Sequence, residues 1–102
     1  MSNANGTGSS KSIPLFPLGQ VVATPGALDA LDRAAVNAAD LLHRHQHGDW
    51  GNVPPEDAAE NERSVLGGWR IFSSYQVTED IRIWIITEAD RSVTTLLLPD
   101  EY

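Results

Sequence analysis

The chain of 102 residues contains no cysteine. That excludes disulfides, thiolate nucleophiles and thiolate metal sites, and it leads to the expectation of a cytoplasmic protein. Positive charge is scarce. One lysine, Lys11, and six arginines stand against fourteen Asp and Glu, a net charge of −7. From residue 12 onward the fourteen acids face only the six arginines, which leaves −8. A surface of that sign repels phosphate backbones, so direct nucleic-acid binding is not expected. Long hydrophobic runs are also missing: none approaches the roughly 18 residues that span a bilayer, and no membrane partner is expected. There is no GxxxxGKS/T loop, no GxGxxG turn and no GxSxG elbow. The phosphate-cradling and nucleophile-elbow signatures are therefore absent, and no cofactor is expected.

The opening residues, MSNANGTGSSKS, are rich in Ser, Gly and Asn and offer almost no apolar surface to offset ordering entropy. They predict a disordered tail over 1–12, and without an apolar core they do not read as a signal peptide. Residues 13–102, about 90 residues, make a single domain with one core.

What is present is a strong β signal near the end. WRIFSSYQV, IRIWIITEAD and VTTLLLP follow one another across short polar breaks. They predict a three-stranded antiparallel β-meander, with Gly19-Gln20-Val21-Val22-Ala23 available as a fourth strand. The preceding stretch predicts two to three short helices packed on that sheet, an α+β fold. Thr24 caps the first helix ahead of Pro25, and the helix runs to about Arg33. Asn37 caps the second, which ends at Gly48. Pro54 and Pro55 open the third, with Glu56 and Asp57 in its first turn, and Gly67-Gly68 stops it. Ile13-Pro14-Leu15-Phe16-Pro17-Leu18 is broken by proline and cannot be helical. It is expected to lie extended on the core or on a partner. The second and third strands are apolar on both sides. Either other segments cover both faces of the sheet, or one face docks another subunit. A homodimer through the sheet is one expectation.

Three histidines cluster in HRHQHGDWG. His43 and His47 are four apart and could share a helical face, but no ligand set follows them, and no metal site is assigned. His45 shares the face of Leu41 and Leu42. It points inward and needs partners for its ring nitrogens, with Asp49 near enough in sequence to orient it. The Thr87–Thr95 hairpin gathers Glu88, Asp90 and Arg91, where Glu88 or Asp90 could form a local ion pair with Arg91, and Arg70 and Arg82 on neighbouring strands could face each other or pair with acids. If the chain is an enzyme, His45 is the acid/base, Arg70 or Arg91 stabilises developing charge on a phosphate, and Thr95 positions it. Asp49, Trp50, Tyr75, Glu88, Asp90 and Arg91 are the binding candidates.

At GQVVATPGALDAL, RHQHGDWG and IWIITEADRSVTTLLLPDEY the chain resembles a family of small uncharacterised bacterial proteins of plasmids and integrated mobile elements. The family pattern falls on His45, Gly48, Asp49, Trp50, Gly51, Asp57, Asn61, Tyr75, Thr87, Glu88, Asp90, Arg91 and Thr95, and not on His43 or His47. The resemblance implies a mobile-element setting and no reaction. The leading expectation is a non-enzymatic, acidic protein-binding or regulatory protein with a protein partner. The alternatives are a small metal-independent ribonuclease or toxin-like enzyme of barnase- or RelE-like architecture, and a structural dimer module.

Overall fold

The computed structural model describes residues 13–102, so the tail expected over 1–12 lies outside the described residues. The elements in chain order are β1 (Gln20–Ala23), α1 (Pro25–Ala34), α2 (Ala38–Gln46), α3 (Pro55–Gly67), β2 (Ile71–Gln76), β3 (Arg82–Thr87), β4 (Val93–Leu97) and a 3₁₀ turn, Pro99–Glu101. The α+β reading and the helix starts agree with the sequence patterns. The Thr24 hydroxyl accepts from the Ala27 N–H, and the Asn37 side chain accepts from the Ala39 N–H. These caps satisfy amides that the first turn leaves without partners. Gly68 follows α3 in the left-handed region at φ 79°, where a glycine meets no Cβ penalty.

The sheet differs from a pure meander. Its order is β1-β4-β3-β2, with β2–β3 and β3–β4 antiparallel and β1–β4 parallel. The parallel pair follows from connectivity. Three helices lie between β1 and β2, and a crossover of that length carries the chain from one side of the sheet to the other. The meander β2-β3-β4 then returns across the sheet and lays its last strand beside β1.

Alternation sorts the strands into two faces. Tyr75, Ile83, Ile85 and Leu96 point to one side and form the main core with Ala27, Ala30, Leu31 and Leu41 of α1 and α2. Ile71, on the same side, packs with Phe16, Trp50 and the α3 residues Ala58 and Val65. Each fully buried Ile or Leu here contributes roughly 1.5–3 kcal/mol relative to exposure. The helices therefore cover one face only. Val22, Phe72, Trp84, Ile86, Val93, Thr95 and Leu97 belong to the other face by register.

The two edges of the sheet are also unlike. Beyond β2 the segment Trp50–Asn52 adds a short bridge, Gly51 to Ser74, with the Ser74 N–H donating to the Trp50 carbonyl at 3.1 Å. Asn61 completes that edge from α3. Its Nδ2 donates to the Phe72 carbonyl at 2.6 Å and its Oδ1 accepts the Phe72 N–H at 3.1 Å, so an amide side chain stands in for a neighbouring strand. Asn52 Oδ1 accepts the Gln76 N–H. Beyond β1, no strand follows among the described residues.

Candidate functional site

His45 sits on α2 directly over the sheet and is fully buried. Sequence reasoning paired it with Asp49, but the structure does not. Asp49 binds Arg44 at 2.7 Å, and the Arg44 hydrogen bond holds the Asp49 carboxyl below its usual range. The partners of His45 are strand hydroxyls: Ser73 at 2.6 Å from Nδ1 and Thr87 at 2.9 Å from Nε2. Thr87 is 2.8 Å from Thr94, and the Thr94 hydroxyl donates to the Leu18 carbonyl at 2.7 Å.

Counting hydrogens fixes every direction in this chain. A carbonyl only accepts, so Thr94 spends its one proton on Leu18. Thr87 must then donate to Thr94, which leaves Thr87 to accept from His45. The imidazole is therefore neutral with its proton on Nε2, and Nδ1 accepts from Ser73. Ser73→His45→Thr87→Thr94→Leu18 is a fully satisfied line of donors running from α2 across three strands to the N-terminal segment. Burial pushes the His45 pKa down to about 3, and the nearby Arg91 charge adds to the effect. Phe16, edge-on at 5.2 Å, and Trp50, edge-on at 6.1 Å, close the ring off from solvent.

The other sequence candidates fall in different places. Arg91 stands at the hairpin tip with φ 62°. Its guanidinium donates to the carbonyls of Trp69 (2.7 Å), Ser64 (2.8 Å), Glu88 (3.1 Å) and Ala89 (3.2 Å), and lies over the Phe16 ring. It binds backbone carbonyls, and the local ion pair with Glu88 or Asp90 that the sequence suggests is not formed. Asp90 instead accepts from the Ser92 side chain and backbone, which lowers its pKa. Thr95 lies on the opposite face of the sheet from His45. The three residues named for acid/base chemistry are thus not brought to a common cleft. Trp50 is buried and donates Nε1–H to Glu62 at 3.0 Å. The Tyr75 hydroxyl donates to the Asp49 carbonyl at 2.6 Å, with Arg44 over its ring, and burial raises its pKa to about 12. His43 and His47 stack at 4.0 Å between centroids, and His47 Nδ1–H donates to the His43 carbonyl. Among the described residues no group of three or more metal-capable side chains converges.

The helix-free face holds a second constellation. Phe72 and Trp84 meet edge to face at 4.9 Å, and Tyr102 folds back onto Trp84 at 5.9 Å. Arg70 donates to the Tyr102 hydroxyl at 2.9 Å and to Glu88 at 3.2 Å, and the Glu88 charge raises the Arg70 pKa. Arg70, Ile86, Glu88, Thr95, Leu97 and Tyr102 line a cleft of about 140 Å³. A second cleft of about 220 Å³ continues past Arg70 to Phe72, Asn61, Glu60 and Asp57. This shelf is partly apolar, with acids and one arginine at its rim. Sequence reasoning named Glu88 and Arg70 but missed Tyr102, since 32 residues separate it from Arg70.

Fold and sites together define a small α+β domain with a mixed four-stranded sheet, one face helix-covered around a buried histidine. Comparison with protein-family models, curated proteins and solved structures returns no match.

Proposed function

We propose that this protein is a non-enzymatic, acidic binding module of regulatory type, which presents the helix-free face of its sheet to a protein partner. The observation that carries the reading is the contrast between the two faces. On one, the titratable histidine is sealed and every hydrogen-bonding group in its line is satisfied, which is the signature of a structural network. On the other, the aromatic side chains of Phe72, Trp84 and Tyr102 remain reachable with Thr95 around Arg70 and Glu88. Aromatic residues beside an arginine are the composition that supplies most binding energy at protein interfaces. With a net charge of −7, the chain favours a partner with a basic rim around an apolar centre. The resemblance at residues 19–31, 44–51 and 83–102 supports a setting in a bacterial mobile element.

The test is affinity capture from cells carrying such an element, with wild type and with Trp84→Lys as baits. A protein retained by the wild type and lost by a folded Trp84→Lys supports the reading. RNA cleavage by the wild type that disappears in an equally folded His45→Gln would overturn it in favour of the ribonuclease-like alternative.

A further inference from the structure

We infer that the outer edge of β1 pairs with the same edge of a second copy of this chain, antiparallel about a two-fold axis at Val22. The inference goes beyond the binding reading and does not depend on it.

The register beside β4 decides which groups of β1 are free. Gln20 N–H donates to the Ser92 carbonyl and Thr24 N–H to the Leu96 carbonyl. Even-numbered residues therefore turn their backbone groups inward, and the N–H and C=O of Val21 and Ala23 point away from the sheet. Among the described residues nothing pairs with them, whereas the opposite edge is closed by Trp50–Asn52 and Asn61. Natural proteins guard a free edge with charge, proline or a bulge. β1 reads QVVA and has none of these.

The absence of charge on the edge suits a second copy of the chain. Twenty-one per cent of the chain is charged, yet Ile13–Leu28 contains no charged side chain. Val21 and Val22 of β1 are among the large hydrophobic residues exposed within the described residues, and Leu28 of α1 follows them, whereas Leu15 sits at the C-terminal end of α2. Two copies at −7 repel across most of their surfaces, and an uncharged apolar edge is where they meet at least cost. Antiparallel pairing about Val22 places Val21 opposite the partner's Ala23 and Ala23 opposite the partner's Val21. Each pair exchanges two hydrogen bonds, four in all, and Val22 faces the partner's Val22 in the close, non-hydrogen-bonded position. The result is one eight-stranded sheet with the two helix-free faces side by side. α1 packs over β4, so three strand spacings of about 4.8 Å separate the two copies of α1. That is about 14 Å, wider than a helix diameter of roughly 10–12 Å, and the helices do not collide.

The chain lacks cysteine, so single-cysteine variants report the register cleanly. In the predicted dimer the Val22 Cα atoms lie about 4.5 Å apart, within disulfide reach. The Val21 Cα atoms are offset by two residues and lie about 8 Å apart, beyond the roughly 7 Å limit. Under mild oxidation Val22→Cys should form a disulfide-linked dimer and Val21→Cys should not. Sedimentation velocity on the wild type should give a dimer fraction that rises with protein concentration and with salt, and Val22→Glu, which places like charges opposite each other, should abolish it. Hydrogen exchange should find the Val21 and Ala23 amides protected only at dimer-forming concentrations, with Val22 protected throughout. A wild type that stays monomeric at every concentration overturns the inference. So does a dimer that survives in Val22→Glu, or protection of Val21 and Ala23 that is independent of concentration, which would mean that the chain covers its own edge. None of these outcomes alters the capture experiment with Trp84→Lys.

Discussion

The buried histidine makes stability depend on pH within a window that can be worked out. Unfolded, His45 titrates near its ordinary 6.5; folded, it titrates near about 3. Above pH 6.5 both states carry a neutral ring, and stability does not change with pH on account of this residue. Below it the unfolded chain takes up a proton that the folded protein cannot hold, so stability falls as pH falls toward the folded value. The limiting slope for one proton is about 1.4 kcal/mol per pH unit. At pH 4.5 the loss is about 2.7 kcal/mol, a large share of the roughly 5–15 kcal/mol that holds a typical domain together. The structural reason is double. Burial penalises the cation, and Nδ1 can gain a proton only if Ser73 gives up its role as donor. Carboxylates with lowered pKa values, such as Asp49, lose their contribution at lower pH, so the span from pH 6.5 to 4.5 isolates the histidine. Urea unfolding across that span should give the predicted slope in the wild type. In His45→Gln, less stable at neutral pH because the hydroxyl line is broken, the slope should flatten by about 1 kcal/mol per unit or more. An equal slope in both proteins would refute the reasoning, as would an imidazole that NMR finds protonated on Nδ1 at pH 5.

Asn61→Ala removes both partners of the Phe72 backbone at the sheet edge. It should cost about 2–3 kcal/mol in chemical denaturation, with the Phe72 amide losing exchange protection first. Arg91→Ala strips the hydrogen bonds from four carbonyls while keeping a side chain at φ 62°, and should destabilise by about 2 kcal/mol. Arg91→Gly loses the same bonds but relieves the left-handed strain, so thermal or urea unfolding should find it more stable than Arg91→Ala by about 1 kcal/mol.

The helices and three of the strands were legible because their signals are local. Thr24-Pro25, Asn37 and Gly68 act within one turn of where they stand, and the Ile81–Ile86 alternation is read in a single window. β1 was legible as a candidate strand, but its parallel pairing with β4 was not, because its partner lies some 70 residues away. The inward position of His45 followed from its spacing with Leu41, but its partners did not. Asp49 is closer in sequence, yet the Arg44 side chain takes it, and the ring finds Ser73 and Thr87 instead. A signal for those partners existed. Ser73 alternates with Ile71 and Tyr75, so a hydroxyl at an inward register position must find a hydrogen-bond partner. Arg91 was misread, and the partner of Asn61 was not legible, for a shared reason. The charge of Arg91 suggested an acidic partner, whereas Arg91 and Asn61 both serve backbone groups, which a sequence pattern does not display.

The helix-covered face of the sheet is tied to the segment that leads into β1. The hydroxyl line that begins at Ser73 ends on the Leu18 carbonyl, two residues before β1. Leu15 N–H donates to the Gln46 carbonyl, and Gln46 donates to the Phe16 carbonyl, so the segment that seals His45 is tied to α2 at one end and to β4 at the other. β1 pairs its backbone with β4, leaves Gln20, Val21 and Val22 exposed, and packs Ala23 against the core. Leu18, two residues before β1, is held by Thr94, and its carbonyl sets the direction of the line back through Thr87 to His45. A change as small as Thr87→Val removes one oxygen from the line, leaving the His45 Nε2–H without an acceptor and Thr94 without a donor. The buried network thus ties the segment that leads into β1 to α2 and to β4 without any chemistry at the imidazole.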